Sequence, residues 1–247
     1  MIRVGLVGYG KAGRAVASVL RTEPDIDLRW IARRETAAVE GAAENIPEPV
    51  IGLTAAALEQ TLDQFPVDAL VDFSAPSALR IYGEQVRRRQ LMLVSAISAY
   101  AQSDHDYLAE LAGSARVMSS PNITLGINFL ILAARLLRGI APFADIEIIE
   151  QHFRDKPEIS GTARKIADSL QVNDDRITSL RLGGIVGQHE VIFGFPHQTV
   201  RITHDSIRRE AFGTGAAFAL RELDRCPSGL YSFDDLLMHK VRSNLGC

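Results

Sequence analysis

A glycine-rich turn that directly follows a short apolar strand constrains the fold more than any other feature of this sequence. The strand is predicted at Ile2–Val7, and a helical pattern follows the turn. The turn has the pattern G-x-G-x-x-G and consists of Gly8, Tyr9, Gly10, Lys11, Ala12, Gly13 and Arg14. In dinucleotide-binding domains these glycines permit a tight turn, close approach of the pyrophosphate, and close packing of the helix on the strand. The turn therefore predicts a cofactor-binding Rossmann-type domain, with a glycine-rich turn of an unrelated α/β protein as the alternative.

The end of the second predicted strand, at residues 27–32, indicates which dinucleotide is bound. A carboxylate at this place binds a free ribose 2′-hydroxyl, whereas arginine accepts a 2′-phosphate. Here the strand is followed by Arg33 and Arg34 and then by Glu35. The two arginines predict NADPH as the cofactor, and Glu35 keeps NADH open as an alternative.

Strands and helices alternate over about the first 120 residues. Strands are predicted at residues 69–73, 91–95 and 116–119, and helices at 53–65, 77–89 and 104–111. This alternation predicts a doubly wound parallel sheet, in which ligands bind beyond the carboxyl ends of the strands. The residues expected at those ends, facing the nicotinamide half of the cofactor, are Phe73, Ser74, Ser95, Ala96, Ile97, Ser120 and Asn122.

The pattern changes after Asn122. A long helix at residues 125–140 precedes strands at 177–182, 190–195 and 199–205, with few helices between them. The predicted fold class is thus α/β, a Rossmann-type doubly wound parallel sheet followed by an α+β domain with an open mixed sheet. We expect a dinucleotide-binding domain at 1–122, a substrate-binding and oligomerisation domain at 123–228, and a C-terminal segment at 229–247 that packs back on the first domain.

The stretch from residue 145 to residue 163 is the strongest candidate for the substrate site. Alternating apolar residues predict a strand, a loop follows with His152, Arg154 and Lys156, and Ser160 with Gly161 and Thr162 opens a helix. Helix N-termini bind carboxylate or phosphate because their N–H groups are unpaired. The stretch therefore predicts a site that holds an anionic small molecule and gives it a proton. An ordinary solvated loop before a capped helix is the alternative.

Composition excludes several other classes of function. The formal net charge of −3 favours no nucleic-acid partner, and no apolar run is long enough to cross a bilayer. The two cysteines, Cys226 and Cys247, favour a reducing compartment. No metal-ligand spacing occurs, and His189 and His204 are interpreted as structural. We expect a soluble cytoplasmic protein that binds no nucleic acid, membrane or metal.

Four patches in chain order resemble the dihydrodipicolinate reductase family. Residues 8–14 resemble its nucleotide loop, 71–76 its (I/V)DF(T/S)xP strand end, and 120–128 its APNFSxGVN segment. The stretch 145–163 resembles its E(I/L)HHxxKxDAPSGTA motif, the most specific of the four, and 181–189 and 203–206 continue the likeness.

The resemblance implies a pyridine-nucleotide reductase that acts on a cyclic imine dicarboxylate in lysine and diaminopimelate biosynthesis, as a homotetramer or a dimer. By position, His152 matches the family's proton donor or acceptor, and Lys156 the lysine that assists it and holds substrate. Ser160, Gly161 and Thr162 match the residues that bind a substrate carboxylate.

Three departures from the family pattern lie at the substrate and cofactor sites. The second histidine of the motif is Phe153, the segment from Lys156 to Ser160 is one residue shorter, and the family's GTT loop is Ser95-Ala96-Ile97. They favour a divergent member, or a related reductase or dehydrogenase for a different imine or amino-acid-derived substrate. A non-catalytic NADPH-binding regulator is a further alternative. Such a regulator would not need His152 and Lys156, so the presence of both residues counts against it.

Overall fold

The computed structural model describes residues 1–34 and 46–246. These residues form two compact units: Gly126–Arg208 make up the second, while Met1–Leu125 and the segment from Arg209 onward make up the first. Glu35, the residue that keeps NADH open as an alternative cofactor, and Cys247 lie outside the described residues.

The first unit is built on a seven-stranded parallel sheet. Its strands are β1 (Ile2–Val7), β2 (Ile26–Arg33), β3 (Val50–Gly52), β4 (Ala69–Asp72), β5 (Met92–Ser95), β6 (Arg116–Ser119) and β11 (Gly229–Tyr231), in the order β11-β6-β5-β4-β1-β2-β3. Its helices are α1 (Lys11–Leu20), α2 (Ala55–Gln64), α3 (Leu79–Arg89), α4 (Gln102–Ala112), α7 (Ala211–Leu223) and α8 (Phe233–Leu245).

Helices cover both faces of this sheet, which explains why β4 and β5 are buried along their whole length and are apolar except for their last residues, Asp72 and Ser95. One apolar core lies under α1, α7 and α8, and a second under α2, α3 and α4. The prediction of a doubly wound parallel sheet is confirmed.

The C-terminal part of the first unit differs from the sequence-based expectation. Helix α7 lies in this unit and packs on α1, because Gly213 permits close approach: a Cβ atom there would lie 2.5 Å from Val19 Cβ. Gly215 permits a second close approach, to the segment before α5, since a Cβ atom there would lie 1.7 Å from the carbonyl oxygen of Ile123. Strands β3 and β11 were not predicted, since each has three residues and is too short to show a period.

The second unit is a four-stranded mixed sheet with two helices on one face. Its elements are α5 (Leu125–Ile140), β7 (Asp145–His152), α6 (Gly161–Leu170), β8 (Ile177–Arg181), β9 (Gln188–Phe195) and β10 (Gln198–Asp205). The strand order is β10-β9-β7-β8, with β7 and β8 parallel and the other pairs antiparallel. The predicted open mixed sheet is confirmed.

Strand β7 determines where the polar groups of this unit lie. Alternate residues of a strand point to the same face, and here Ile146, Ile148, Glu150 and His152 all point inward. The apolar core with α5 and α6 therefore ends, at the carboxyl end of β7, in a buried carboxylate and an imidazole.

Candidate functional site

The three glycines of the first turn meet three different steric requirements. Gly8 has φ +94°, and a Cβ atom there would lie 2.7 Å from the backbone of Phe73 and Ser74. A Cβ atom on Gly13 would lie 2.1 Å from the carbonyl oxygen of Gly8, so the first turn of α1 packs directly on the strand end. Nothing lies within 4 Å of a Cβ atom built on Gly10. The open space in front of Gly10, next to the N-terminus of α1, fits a pyrophosphate.

A cavity of about 270 Å³ adjoins this turn. Its lining residues are Gly8, Tyr9, Gly10, Arg14, Arg33, Arg34, Leu53, Phe73 and Ser74. Lys11 and Ala12 lie beside it in the first turn of α1, and the Arg14 guanidinium lies over the Tyr9 ring, 5.7 Å from its centroid. The cavity thus has one cationic side chain from α1 and two from the end of β2, and the first turn of α1 has no acidic residue, which suits an anionic nucleotide.

The loops after β4 and β5 are held by a buried hydrogen-bond network. Asp72 is fully buried and accepts hydrogen bonds from the Ser74 N–H at 2.8 Å and the Tyr82 hydroxyl at 2.7 Å. Burial raises the pKa of the Asp72 carboxyl, although these hydrogen bonds oppose the shift. The Ser95 hydroxyl lies 2.8 Å from that of Tyr100. Since Ser95 is fully buried with an internal partner, its hydroxyl holds the loop rather than facing a ligand.

The remaining residues of these strand ends also stabilise their own loops. Ile97 is buried and Ala96 is half-buried. The buried Ser120 hydroxyl donates to the carbonyl oxygen of Asn122 at 3.0 Å, and the Asn122 side-chain oxygen accepts from the Thr124 N–H at 3.0 Å. These loops are therefore fixed in place by their own side chains, and their backbone is what they could present to a cofactor.

Glu150 is the centre of a polar cluster in the second unit. Its side chain is fully buried and accepts hydrogen bonds from the Ser179 hydroxyl at 2.7 Å and the Ser160 N–H at 3.2 Å, as well as from His152 and Arg181. Burial raises the pKa of the Glu150 carboxyl, but the hydrogen bonds from Arg181, Ser179, His152 and Ser160 outweigh it and bring the pKa down to about 2. The carboxylate is therefore ionised at neutral pH.

This carboxylate fixes the orientation of the His152 ring. His152 Nδ1 is hydrogen-bonded to Glu150 Oε2, and a carboxylate can only accept, so the proton of this bond lies on Nδ1. The other ring nitrogen, Nε2, faces Gly187, where an added Cβ atom would lie only 3.0 Å away. Nε2 is thus the atom through which this imidazole can exchange a proton with a ligand.

Arg181 connects the same carboxylate to the loop that carries Lys156. Its Nη1 and Nη2 atoms bind Glu150 at 3.0 and 2.7 Å, and its remaining N–H groups donate to the backbone carbonyl oxygens of Lys156, Leu180 and Glu158 at 2.8–3.0 Å. All five N–H donors of the guanidinium are therefore used. Among the residues that the structure describes, the half-buried Lys156 has no ion-pair partner.

The N-terminus of α6 completes this cluster. Ser160 is the N-cap residue, and its hydroxyl oxygen accepts from the Thr162 N–H at 3.2 Å. The same oxygen lies 2.9 Å from His189 Nε2. Gly161 is exposed in the first turn, where helix N–H groups have no partner inside the helix. The second unit thus brings together the predicted residues His152, Ser160, Gly161 and Thr162, together with the loop of Lys156.

Sequence reasoning did not single out three members of this cluster. Glu150 and Arg181 lay in motifs without an assigned role, and His189 was interpreted as structural. The detectable signal was the period of β7, because a carboxylate two residues before His152 must lie on the same buried face. Over residues 1–34 and 46–246 no group of His, Cys, Asp and Glu residues could hold a metal ion, and no helix is long and apolar enough to cross a membrane.

Two family models match the chain, "Dihydrodipicolinate reductase, N-terminus" over residues 2–123 and "Dihydrodipicolinate reductase, C-terminus" over residues 122–237. The chain belongs to the dihydrodipicolinate reductase family. The resemblance drawn from the four sequence patches is therefore confirmed, and the family is one of nicotinamide-nucleotide-dependent reductases.

Individual members of the dihydrodipicolinate reductase family match between about two thirds and nearly all of the chain. The 4-hydroxy-tetrahydrodipicolinate reductase of Caldanaerobacter subterraneus subsp. tengcongensis is 29% identical, over 96% of this chain and 98% of its own. The enzyme of the same name from Clostridium perfringens strain SM101 is 31% identical, over 69% of this chain and 76% of its own. A dipicolinate-bound dihydrodipicolinate reductase from Paenisporosarcina sp. TG-14 has the same fold, with a TM-score of 0.80 at 21% identity, over 94% of this chain and 97% of that one.

Proposed function

We propose that this chain reduces a cyclic imine dicarboxylate, dihydrodipicolinate or its 4-hydroxy-tetrahydro precursor, to tetrahydrodipicolinate in lysine and diaminopimelate biosynthesis. Membership of the family supports the reaction, and so does the name shared by its relatives. The observation that carries the proposal is the buried Glu150 carboxylate on His152 Nδ1, beside a helix N-terminus that suits an anion. A protein that only binds and senses the nucleotide would need neither the Glu150–His152 pair nor an anion-binding helix N-terminus.

The first unit is proposed to hold the cofactor on the glycine turn, with NADPH preferred over NADH. Two arginines, Arg33 and Arg34, line the cavity where the adenosine ribose would lie, and a 2′-phosphate would complement their charge. When bound, the nicotinamide supplies the hydride. The loops that end in Ser74, Ala96 and Asn122 would orient its ring.

Proton delivery would fall to the second unit. After hydride addition to the electron-poor carbon of the conjugated imine, another ring atom carries the electron pair and needs a proton. His152 Nε2–H would give that proton, while Glu150 stabilises the imidazolium that exists before transfer. Arg181 keeps Glu150 ionised, so the carboxylate accepts from the imidazole and does not itself act as the acid.

One substrate carboxylate is proposed to bind at the N-terminus of α6. The N–H of Gly161, the hydroxyl groups of Ser160 and Thr162, and the Lys156 ammonium would all donate to it. Lys156 would also stabilise negative charge that develops on the ring.

Self-association in the cytoplasm is proposed as the working state, as a homotetramer or a dimer. The face of the second unit's sheet opposite α5 and α6 carries half-buried and exposed apolar side chains, Ile149, Leu180 and Ile192 among them. Burial of this face between copies would remove it from water. Sedimentation of the wild type and of Leu180→Glu measures this directly, because a charge on the buried face should lower the assembly state.

The function itself is tested by NADPH oxidation with the dicarboxylate imine, beside a panel of cyclic imines that carry one carboxylate or none. We expect turnover with the dicarboxylate at a kcat/KM at least tenfold above that of any other compound. The second candidate, a reductase for a different imine, is favoured by Phe153, which is 46% exposed where the family motif has its second histidine. Faster turnover of a monocarboxylate would support that candidate and contradict the first.

A further inference from the structure

His189 has a role at the anion site that its position in the sequence did not suggest. It lies on β9 directly opposite Glu150 of β7, and only 4% of its surface is exposed. Its Nε2 atom lies 2.9 Å from the Ser160 hydroxyl oxygen. Its ring also meets that of His152 edge-on, with the centroids 5.3 Å apart.

The second nitrogen of this ring, Nδ1, is buried without a hydrogen-bond partner in the described part of the chain. Burial lowers the pKa of His189 to about 4, and the nearby His152, His204 and Lys156 contribute in the same direction, against Glu150. At neutral pH the ring is therefore uncharged and carries one proton, on either Nδ1 or Nε2.

The unpartnered atom decides between these two tautomers. A proton on Nδ1 would leave a buried N–H donor without an acceptor, and Nε2 would then accept the Ser160 hydroxyl proton. A proton on Nε2 leaves only an acceptor lone pair unpaired on Nδ1. Since orphaned buried N–H groups are rarer than under-satisfied acceptors, the proton belongs on Nε2.

The hydrogen-bonding capacity of a hydroxyl group then sets the direction of the Ser160 proton. A serine hydroxyl has two acceptor lone pairs and one donor. Its oxygen already accepts from the Thr162 N–H at 3.2 Å, and the His189 Nε2–H would be the second donor to it. With both lone pairs used, the Ser160 O–H can only donate outward, to a ligand at the N-terminus of α6.

We infer that His189 is a positioning residue for the substrate: its Nε2–H holds the Ser160 hydroxyl as a donor to the bound carboxylate. The inference rests on the proposed function only in taking the ligand of this helix N-terminus to be a carboxylate. It adds a determinant of substrate affinity on β9, distinct from the proton transfer by His152.

The test uses binding of pyridine-2,6-dicarboxylate, a planar dianion, to the whole protein with saturating NADPH, measured by calorimetry. His189→Gln places an amide N–H near the position of Nε2, whereas His189→Asn places it near Nδ1 and His189→Leu has no donor. We expect Kd to rise about tenfold in the Asn and Leu variants, the loss of one hydrogen bond, and to stay within about threefold of wild type in the Gln variant. His204→Leu, which removes the imidazole paired with His189 in the β-sheet register, is the matched control and should leave Kd unchanged.

A double-mutant cycle with Ser160→Ala shows whether the effect passes through the hydroxyl. Once that hydroxyl is absent, His189→Leu should cost no further affinity. Independent, additive losses would overturn the inference, and so would equal losses in the Gln and Leu variants. A Gln variant that binds normally keeps the test informative even if the Leu variant does not fold.

The tautomer is measured separately, by ¹⁵N NMR of the histidine side chains in protein without substrate. We expect a protonated Nε2 and an unprotonated Nδ1 for His189; a protonated Nδ1 contradicts the inference.

If wild type binds the dianion in this tautomer but reduces no dicarboxylate imine, the proposed function fails while the role of His189 stands. If wild type does not bind the dianion at all, the role of His189 fails.

Discussion

Arg181 and Glu150 form a two-point ion pair in the second unit, with Nη1–Oε2 and Nη2–Oε1 distances of 3.0 and 2.7 Å. The carboxylate of this pair also binds His152, and the guanidinium also binds the backbone of Lys156 and Glu158. One ion pair therefore fixes both the imidazole and the loop of the proposed substrate-binding lysine. The two groups that the proposed chemistry needs, the imidazole and the loop that carries Lys156, are held by the same buried ion pair.

Arg181→Lys tests this arrangement, because a lysine cannot make the planar contacts of a guanidinium. Breaking a buried pair by removing one partner typically costs about 3–5 kcal/mol. Because lysine keeps the positive charge and Arg181 is partly exposed, we expect a smaller loss, about 2 kcal/mol. Urea denaturation measures the free energy of unfolding. The matched control is Arg201→Lys, whose pair with Glu190 lies nearer the surface and should cost less than about 1 kcal/mol. Equal losses in both variants would contradict the special role of Arg181.

Gly187→Ala should slow the reaction without weakening cofactor binding. The added Cβ atom would lie 3.0 Å from His152 Nε2 and displace the ring from its position. A small displacement of a catalytic group is expected to lower kcat about tenfold or more. Gly184→Ala, where nothing lies within 4 Å of the new Cβ atom, is the control. Unchanged kcat in Gly187→Ala would show that the ring orientation seen here does not govern turnover.

Replacement of Arg33 and Arg34 by alanine should change the preference between the two dinucleotides. We expect the KM for NADPH to rise about 10–100-fold, as for the loss of one or two charge-assisted contacts, and the KM for NADH to change less than about threefold. Initial rates with each cofactor give both values. Arg29→Ala is the control, because Arg29 pairs with Asp27 and does not line the cavity. A parallel rise for both cofactors would contradict binding of the 2′-phosphate.

The buried His189 should make the free energy of unfolding depend on pH. Its pKa is about 4 in the folded protein and near 6.5 when exposed, so the unfolded chain binds one more proton between these values. Stability is therefore highest above pH 6.5 and falls as the pH is lowered towards 4. The advantage of wild type over His189→Gln should shrink by roughly 2 kcal/mol between pH 7 and pH 4.5. The facing groups His152, His204, Glu150 and Lys156 are common to both proteins; a difference that stays constant with pH would contradict a neutral buried ring.

The strand and helix pattern of the first unit was predictable because parallel strands and amphipathic helices have distinct periods. The three-residue strands β3 and β11 were not, since only the neighbouring strand defines them. The place of α7 was missed for a similar reason: Gly213 and Gly215 show how close the helix can approach, but the sequence does not say which unit it approaches.

The candidate site was predictable where residue type and local order suffice, as for the glycine turn and the cap at Ser160. The cluster around Glu150 depends on contacts between residues far apart in the chain, such as Arg181 with Glu150 and His189 with Ser160. Such contacts follow from the register of β7 with β8 and β9, which one sequence without the fold does not provide. Phe153 and the shortened loop were visible in the sequence, and their effect on the choice of imine stays a prediction.

His152→Gln tests the central claim most directly. Glutamine keeps a polar side chain of similar reach but cannot give up a proton near neutral pH, so kcat with the dicarboxylate imine should fall by about 10²-fold or more, while the Kd for NADPH stays within about twofold of wild type. Calorimetry with NADPH alone confirms that the variant is folded and binds cofactor. Turnover near the wild-type rate would contradict the assignment of His152 Nε2 as the proton donor.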